Sequence, residues 1–200
     1  MSVVVWGSAV ADLDAAGANA GPSQTVKGGL RLSASPSIDG ARFREVLAHV
    51  PTGVTIITSN SADGPTGMTA NSFTSVSLSP PLVLFCPAKS SSTWPTIRSA
   101  GTFCVNVMAS HHEQLIRQFA HKAVDRFAGV AYTPGQEAPA LDGAAVWLMC
   151  RIHAEYDAGD HTVVVAEVTR LDARTDTEPL VLCRGRYGRF QEVVGEDRGR

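Results

Sequence analysis

No two cysteines in this chain stand close enough to suggest a metal or redox motif. The four, Cys86, Cys104, Cys150 and Cys183, are scattered, and three lie inside apolar runs. That distribution predicts free, buried thiols in a reducing compartment and argues against a disulfide framework or a zinc site. Long apolar runs are missing too: none reaches the roughly 20 residues needed to cross a bilayer. The first eleven residues are apolar but contain no Lys or Arg, so they lack the basic start of a secretory signal. A cytoplasmic protein without a membrane partner is expected. Neither sign of charge dominates. Seventeen Lys and Arg face nineteen Asp and Glu, for a formal charge of -2, which gives no argument for a nucleic-acid partner. Finally, no GxGxxG follows the first strand and there is no P-loop. A dinucleotide would have to bind without a glycine-rich cradle.

The 200 residues, 44% of them apolar, suffice for one well-buried core and are few for two. Residues 1–37 are rich in Ala, Gly and Ser and broken by Pro22 and Pro36. They read as a flexible extension, with the domain over 38–192 and a polar tail over 193–200. Asp39 caps a helix over 40–49, whose Phe43, Val46, Leu47 and Val50 share one face. Pro51 stops it. Val54 to Ile57 reads as a strand, and 66–79 as a second, bent one closed by Pro80 and Pro81. The 82–86 run fits a central strand. A short helix over 92–98 tolerates Pro95 only in its first turn. A strand over 103–108 and a helix over 110–119 follow, then mostly loop to 143. Strands over 146–156 and 161–171, joined at 157–160, suit a hairpin, and short strands over 180–184 and 187–190 end the domain. Strands outnumber helices without βαβ alternation. The fold class expected is mainly β, a barrel with peripheral helices.

Three places carry chemistry. Thr69, Asn71, Ser72, Thr74, Ser75 and Ser77 crowd short polar groups where a half-buried strand would carry larger apolar ones. Such groups leave room for a flat ligand and offer it hydrogen bonds. The same composition also suits a solvated Ser/Thr face. Lys89, Ser90, Ser91, Ser92 and Thr93 follow at a helix start. Hydroxyls, N–H groups and one Lys there suit a phosphate, or simply a capped helix with a solvated Lys89. His161 opens a strand within Gly159-Asp160-His161-Thr162. Its imidazole can donate to a carboxamide or a phosphate, or it is a turn residue and nothing more.

Taken together and in order, these segments resemble the flavin reductase-like family, the short reductase components of two-component flavin-dependent monooxygenases. The resemblance runs from about Phe43 to Phe190. It is carried by Val50-Pro51-Thr52-Gly53-Val54, Gly67-Met68-Thr69-Ala70-Asn71-Ser72-Phe73-Thr74-Ser75-Val76-Ser77, Pro80-Pro81-Leu82-Val83 and Lys89-Ser90-Ser91-Ser92-Thr93-Trp94. Phe103-Cys104-Val105-Asn106-Val107, Gly159-Asp160-His161-Thr162 and Gly185-Arg186-Tyr187 complete it. It implies a flavin-binding split β-barrel, a homodimer with flavin near the subunit interface, and hydride transfer from NADH, or NADPH as the alternative donor, to FMN or FAD. Reduced flavin would then pass to a separate monooxygenase without a stable complex. Thr69, Ala70, Asn71 and Ser72 would meet the flavin ring and ribityl chain. Lys89, Ser91, Ser92 and Thr93 would hold its phosphate, and Pro51 and Thr52 would lie beside the ring. Asn106 would help shape the site, His161 would approach the nicotinamide, and Arg186 and Tyr187 would close the pocket. The rival readings are a flavoprotein that keeps its flavin and acts on an organic substrate, and a non-catalytic flavin-binding module. No metal is expected.

Overall fold

The computed structural model describes residues 38–121, 125–135 and 137–192. The extension expected over 1–37 and the tail over 193–200 lie outside them. In chain order the elements are α1 (Gly40–Leu47), β1 (Thr52–Gly53), β2 (Thr55–Ser61), β3 (Gly64–Ala70), β4 (Thr74–Leu78), β5 (Pro81–Phe85), α2 (Trp94–Ala100) and β6 (Thr102–Val107). There follow α3 (Glu113–Ala120), β7 (Tyr132–Thr133), β8 (Ala140–Leu141), β9 (Val146–Ala158), β10 (His161–Ala173), β11 (Leu180–Cys183) and β12 (Arg186–Arg189). The mainly β expectation holds.

Seven strands form an antiparallel sheet in the order β3-β2-β6-β9-β10-β5-β4. Its two edge strands, β3 and β4, are consecutive in the chain, and only residues 71–73 join them. A flat sheet would hold those edges six strand spacings apart, roughly 29 Å. Four Cα steps from Ala70 to Thr74 reach at most about 14 Å. The sheet must therefore curl until its edges approach, leaving an open seam at residues 71–73. The single bent strand expected over 66–79 is thus two strands on opposite edges, because the chain breaks pairing at this seam.

Strand alternation sorts the core into two sides. Ile57, Met68, Val83, Phe85, Phe103, Val105, Val164 and Ala166 pack inside the curl, with Trp94 and Ile97 of α2 against them. Phe85 meets Trp94 and Phe103 edge to face at 5.4 and 5.3 Å. Val54 and Ile56 point the other way, onto Met108, Ile116, Phe119 and Leu180. Both faces of β2 are covered, and its residues 55–59 are all buried.

The helices begin and end where local chemistry dictates. Asp39 accepts the Arg42 N–H at 3.2 Å and caps α1. Pro95 sits in the first turn of α2, and Gly101 closes it at a left-handed φ of 72°. Glu113 and Arg117 pair one turn apart on α3 at 2.7 Å. Helix α1 buries none of its residues. The stretch expected to be loop between α3 and β9 holds the small β7–β8 hairpin. Among the described residues, no helix is long and apolar enough to span a membrane. None of their His, Cys, Asp and Glu side chains form a metal-holding group.

Candidate functional site

The seam is where polar groups gather. Thr69 and Ala70 end β3, both buried, and the Thr55 hydroxyl donates to the Ala70 carbonyl at 2.7 Å. Asn71 stands just past the last β2–β3 pair, Thr55 with Ala70, where the two chains part. Its Oδ1 is buried and accepts no hydrogen bond from the described residues. An unpartnered buried carbonyl costs about 1–3 kcal/mol, so such a group marks either strain or the place of a ligand donor. The Ser72 hydroxyl accepts the Cys86 N–H at 2.8 Å, tying the seam to the end of β5. The remaining short polar groups, Thr74, Ser75 and Ser77, lie on edge strand β4, the first two of them exposed. The sequence grouping therefore divides in two: a largely buried polar corner at residues 69–72 and a solvated edge beyond it.

The segment after β5 carries the expected phosphate holders. Ser91 is already engaged: its Oγ accepts the N–H groups of Thr93 and Trp94 at 3.3 and 3.1 Å. Those N–H groups are spent on capping α2, which removes them from the donors that the sequence suggested for a phosphate. Ser91 also lies 4.0 Å from the Met68 sulfur, which brings this segment against β3. Ser92 is exposed and Thr93 is buried. Lys89 is half exposed and pairs with Asp157.

The β9–β10 turn, with Gly159 at a φ of 64°, packs onto the same segment. Lys89 N–H donates to the Asp160 carbonyl at 2.9 Å, Thr162 N–H donates to the Pro87 carbonyl at 3.0 Å, and Ala88 bridges to His161. His161 is thereby carried beside Lys89. Its Nδ1 lies 2.7 Å from the Asp160 carboxylate. That hydrogen bond, with the charge of His161 behind it, holds the Asp160 carboxyl below the usual aspartate range. An ionised carboxylate only accepts, so Nδ1 carries the hydrogen and the ring orientation is set.

The other expected residues stand on other elements. Pro51 is exposed, and Thr52 pairs with Leu182 in a second sheet, β1-β11-β12. Arg186 and Tyr187 lie on β12 of that sheet. Tyr187 packs against the α3 side of the core and sits under Arg117, 5.8 Å from its ring centre. Burial raises its hydroxyl pKa. Asn106 is wholly interior. Its Nδ2 donates to the Ile56 carbonyl and the Thr58 hydroxyl at 3.1 Å each, and its Oδ1 accepts the Leu141 N–H at 2.8 Å. It shapes a site only by holding β2, β6 and β8 together, because its amide is consumed by the chain itself.

Sequence reasoning missed Arg126 and the Lys89 partner Asp157. Arg126 Nη1 donates to the Thr93 hydroxyl at 2.6 Å and to the Gly67 carbonyl at 2.8 Å. A lone Arg in a loop gives no signal in the sequence. Asp160 was visible beside His161, but its bond to the ring was not.

A model of the family described as "Flavin reductase like domain" matches residues 47–191. The chain is 41% identical over 159 residues to a flavin reductase of Pseudomonas putida, covering 78% of this chain and 94% of that one. It is 40% identical over 155 residues to the reductase subunit HsaB of a flavin-dependent monooxygenase of Rhodococcus jostii, covering 77% and 80%. The solved structure of the NADH:FAD oxidoreductase SgcE6 of Streptomyces globisporus, in complex with NAD and FAD fragments, superposes with a TM-score of 0.74. That match has 40% identity and covers 78% of this chain and 96% of that one.

Proposed function

The chain belongs to the flavin reductase-like family, and on that premise we propose that it is an NAD(P)H:flavin oxidoreductase. It reduces FMN or FAD and supplies the reduced flavin to a separate monooxygenase, a reading supported by relatives named as a flavin reductase, a reductase subunit of a flavin-dependent monooxygenase and an NADH:FAD oxidoreductase. The observation that carries this reading is the buried, unpartnered Asn71 Oδ1 at the barrel seam. The N–H of a flat heteroaromatic ring would satisfy such an acceptor, with Thr69, Ala70 and Ser72 next to it in the chain.

Bound flavin supplies the hydride chemistry, accepting at its ring what the nicotinamide gives up. The chain's part is to bind and orient. Residues 69–72 meet the ring, with Pro51 and Thr52 approaching from the neighbouring sheet. Lys89, Ser92 and Thr93 face the anionic tail, while Ser91 keeps their turn in shape. The Lys89–Asp157 pair is half exposed, and such pairs contribute about 0–1 kcal/mol. A phosphate with a charge of about −1.5 to −2 can therefore draw Lys89 away from Asp157. Asp160 holds the His161 ring by Nδ1 so that the imidazole positions the dinucleotide.

The test is an anaerobic assay crossing FMN and FAD with NADH and NADPH, using purified protein and no oxygenase. Bleaching of a large excess of free flavin is expected. Absence of dinucleotide oxidation with either flavin would overturn the reading. Reduction limited to one equivalent of tightly held flavin would replace it with a flavoprotein acting on its own substrate. Replacing His161 with Ala should weaken NADH use more than flavin use, and unchanged NADH kinetics would remove His161 from this role.

For the assembly we infer a homodimer. Leu78 on edge strand β4 is 96% exposed, Val76 on β4 and Phe43 and Val46 on α1 are about half exposed, and Phe190 is 65% exposed. Apolar groups exposed on a strand edge and on a helix face suit a second copy. Light scattering should give twice the chain mass, and Leu78→Glu should reduce it. A monomeric wild-type mass would overturn the inference. The four free thiols support a reducing, cytoplasmic location.

A further inference from the structure

Arg126 follows α3 and is half-buried, yet it pairs with no carboxylate among the described residues. Its Nε donates to the His121 carbonyl at 3.0 Å, and its Nη1 donates to the Gly67 carbonyl at 2.8 Å and the Thr93 hydroxyl at 2.6 Å. The neighbouring Asp125 turns its Oδ1 onto the Phe127 N–H at 3.0 Å. A cavity of about 280 Å³ opens here, with Gly67, Ser92, Thr93 and Arg126 in its wall. Thr93 is 9% exposed, and its hydroxyl accepts from Arg126. Its own hydrogen is given to no other group among the described residues. A hydroxyl that accepts from a cation becomes a stronger donor.

We propose that Arg126 is a positioning residue for the phosphate of the flavin, acting by fixing the Thr93 hydroxyl as a polarised donor into this cavity. The inference rests on the flavin reading above and adds a fixed cation to it. Lys89 reaches solvent and an exposed acid. Arg126 instead spans β3 and the start of α2, joining the strand that leads into Thr69 to the segment that faces the tail. Gly67 is confined on its other side, because an added Cβ would come within 2.7 Å of the Phe119 ring. Arg126 thus meets a strand that cannot easily shift away.

The experiment compares FMN with riboflavin, which has the same ring and no phosphate, as substrates of the full-length protein with NADH. Wild type should prefer FMN. In Arg126→Gln, the Michaelis constant for FMN should rise about tenfold while that for riboflavin and for NADH stays within about twofold, since one charge-assisted contact to the tail is lost. Thr93→Val should reproduce the loss, Thr93→Ser should retain the preference, and the double variant should lose no more than either single one. A merely structural role would raise both flavin constants together, and that result overturns the proposal, as does an FMN preference that survives in Arg126→Gln. If Arg126→Gln does not fold, Thr93→Val against Thr93→Ser decides alone. A wild type that reduces neither flavin sinks the flavin reading itself. One that reduces both with equal constants sinks the role of Arg126 and of the residues facing the tail, and leaves flavin reduction standing.

Discussion

Replacing Asn106 with Ala separates two roles for one residue. The sequence resemblance gives it to the ligand site, whereas the structure buries it completely and spends its amide on the Ile56 carbonyl, the Thr58 hydroxyl and the Leu141 N–H. In Ala the Leu141 N–H loses its 2.8 Å acceptor, at a cost of about 1–3 kcal/mol for a buried donor. Thr58 loses little, because its own hydroxyl still donates to the Pro139 carbonyl at 2.5 Å. The amide-sized void adds roughly 1 kcal/mol. The sum is about 2–4 kcal/mol, or roughly 5–15 °C in melting temperature for a domain of this size. Urea unfolding followed by circular dichroism measures the first, and a thermal scan the second. Asn106→Asp should behave differently with pH. Its carboxylate would face oxygens of Ile56 and Thr58, so the buried acid is held protonated at a cost that shrinks as pH falls. Flavin kinetics of whatever folded Asn106→Ala remains should be close to wild type. A loss below about 0.5 kcal/mol combined with a large rise in the flavin Michaelis constant would refute the structural role and return Asn106 to the ligand.

Asn71→Ala should do the reverse: flavin affinity falls about tenfold, while stability is unchanged or rises by up to about 1 kcal/mol, because an unpaired buried acceptor is removed. Flavin titration and a thermal melt check it. Gly67→Ala should destabilise by about 1–3 kcal/mol in chemical unfolding, since its Cβ would lie 2.7 Å from the buried Phe119 ring and 3.0 Å from the Ile57 carbonyl. Asp160→Asn should give a pH-dependent difference from wild type. The folded Asp160 pKa is lowered by the His161 hydrogen bond, so its contribution is present above the unfolded value of about 3.9 and is lost as pH falls through the lower folded value. Stability curves of the two proteins should differ at pH 6 and converge in strong acid, and a gap that widens as pH falls would contradict this.

Local signals were legible where one residue decides one feature. Asp39 as the α1 cap, Pro95 in the first turn of α2 and the β9–β10 hairpin at residues 157–160 could all be read from residue type and spacing. So could the mainly β class. The motif order carried the family, and with it the flavin and nicotinamide chemistry. The β7–β8 hairpin was not legible, because two-residue strands leave no periodicity to read. Nor was the unburied face of α1, since an apolar stripe states that a partner is needed without saying where it lies.

What the chain alone determined was the inventory: a polar corner after β3, a Lys/Ser/Thr segment after β5, and an Asp-His pair opening β10. Only tertiary structure decided which of those groups are free for a ligand. Curling the sheet split residues 66–79 between its two edges and left Asn71 unpaired at the seam, while Ser91 and Asn106 were consumed by backbone partners. The same closure brought Arg126 across to Thr93 from 33 residues away. Hydrogen-bond satisfaction is a property of the folded surroundings, and residue type fixes only what each group can donate or accept.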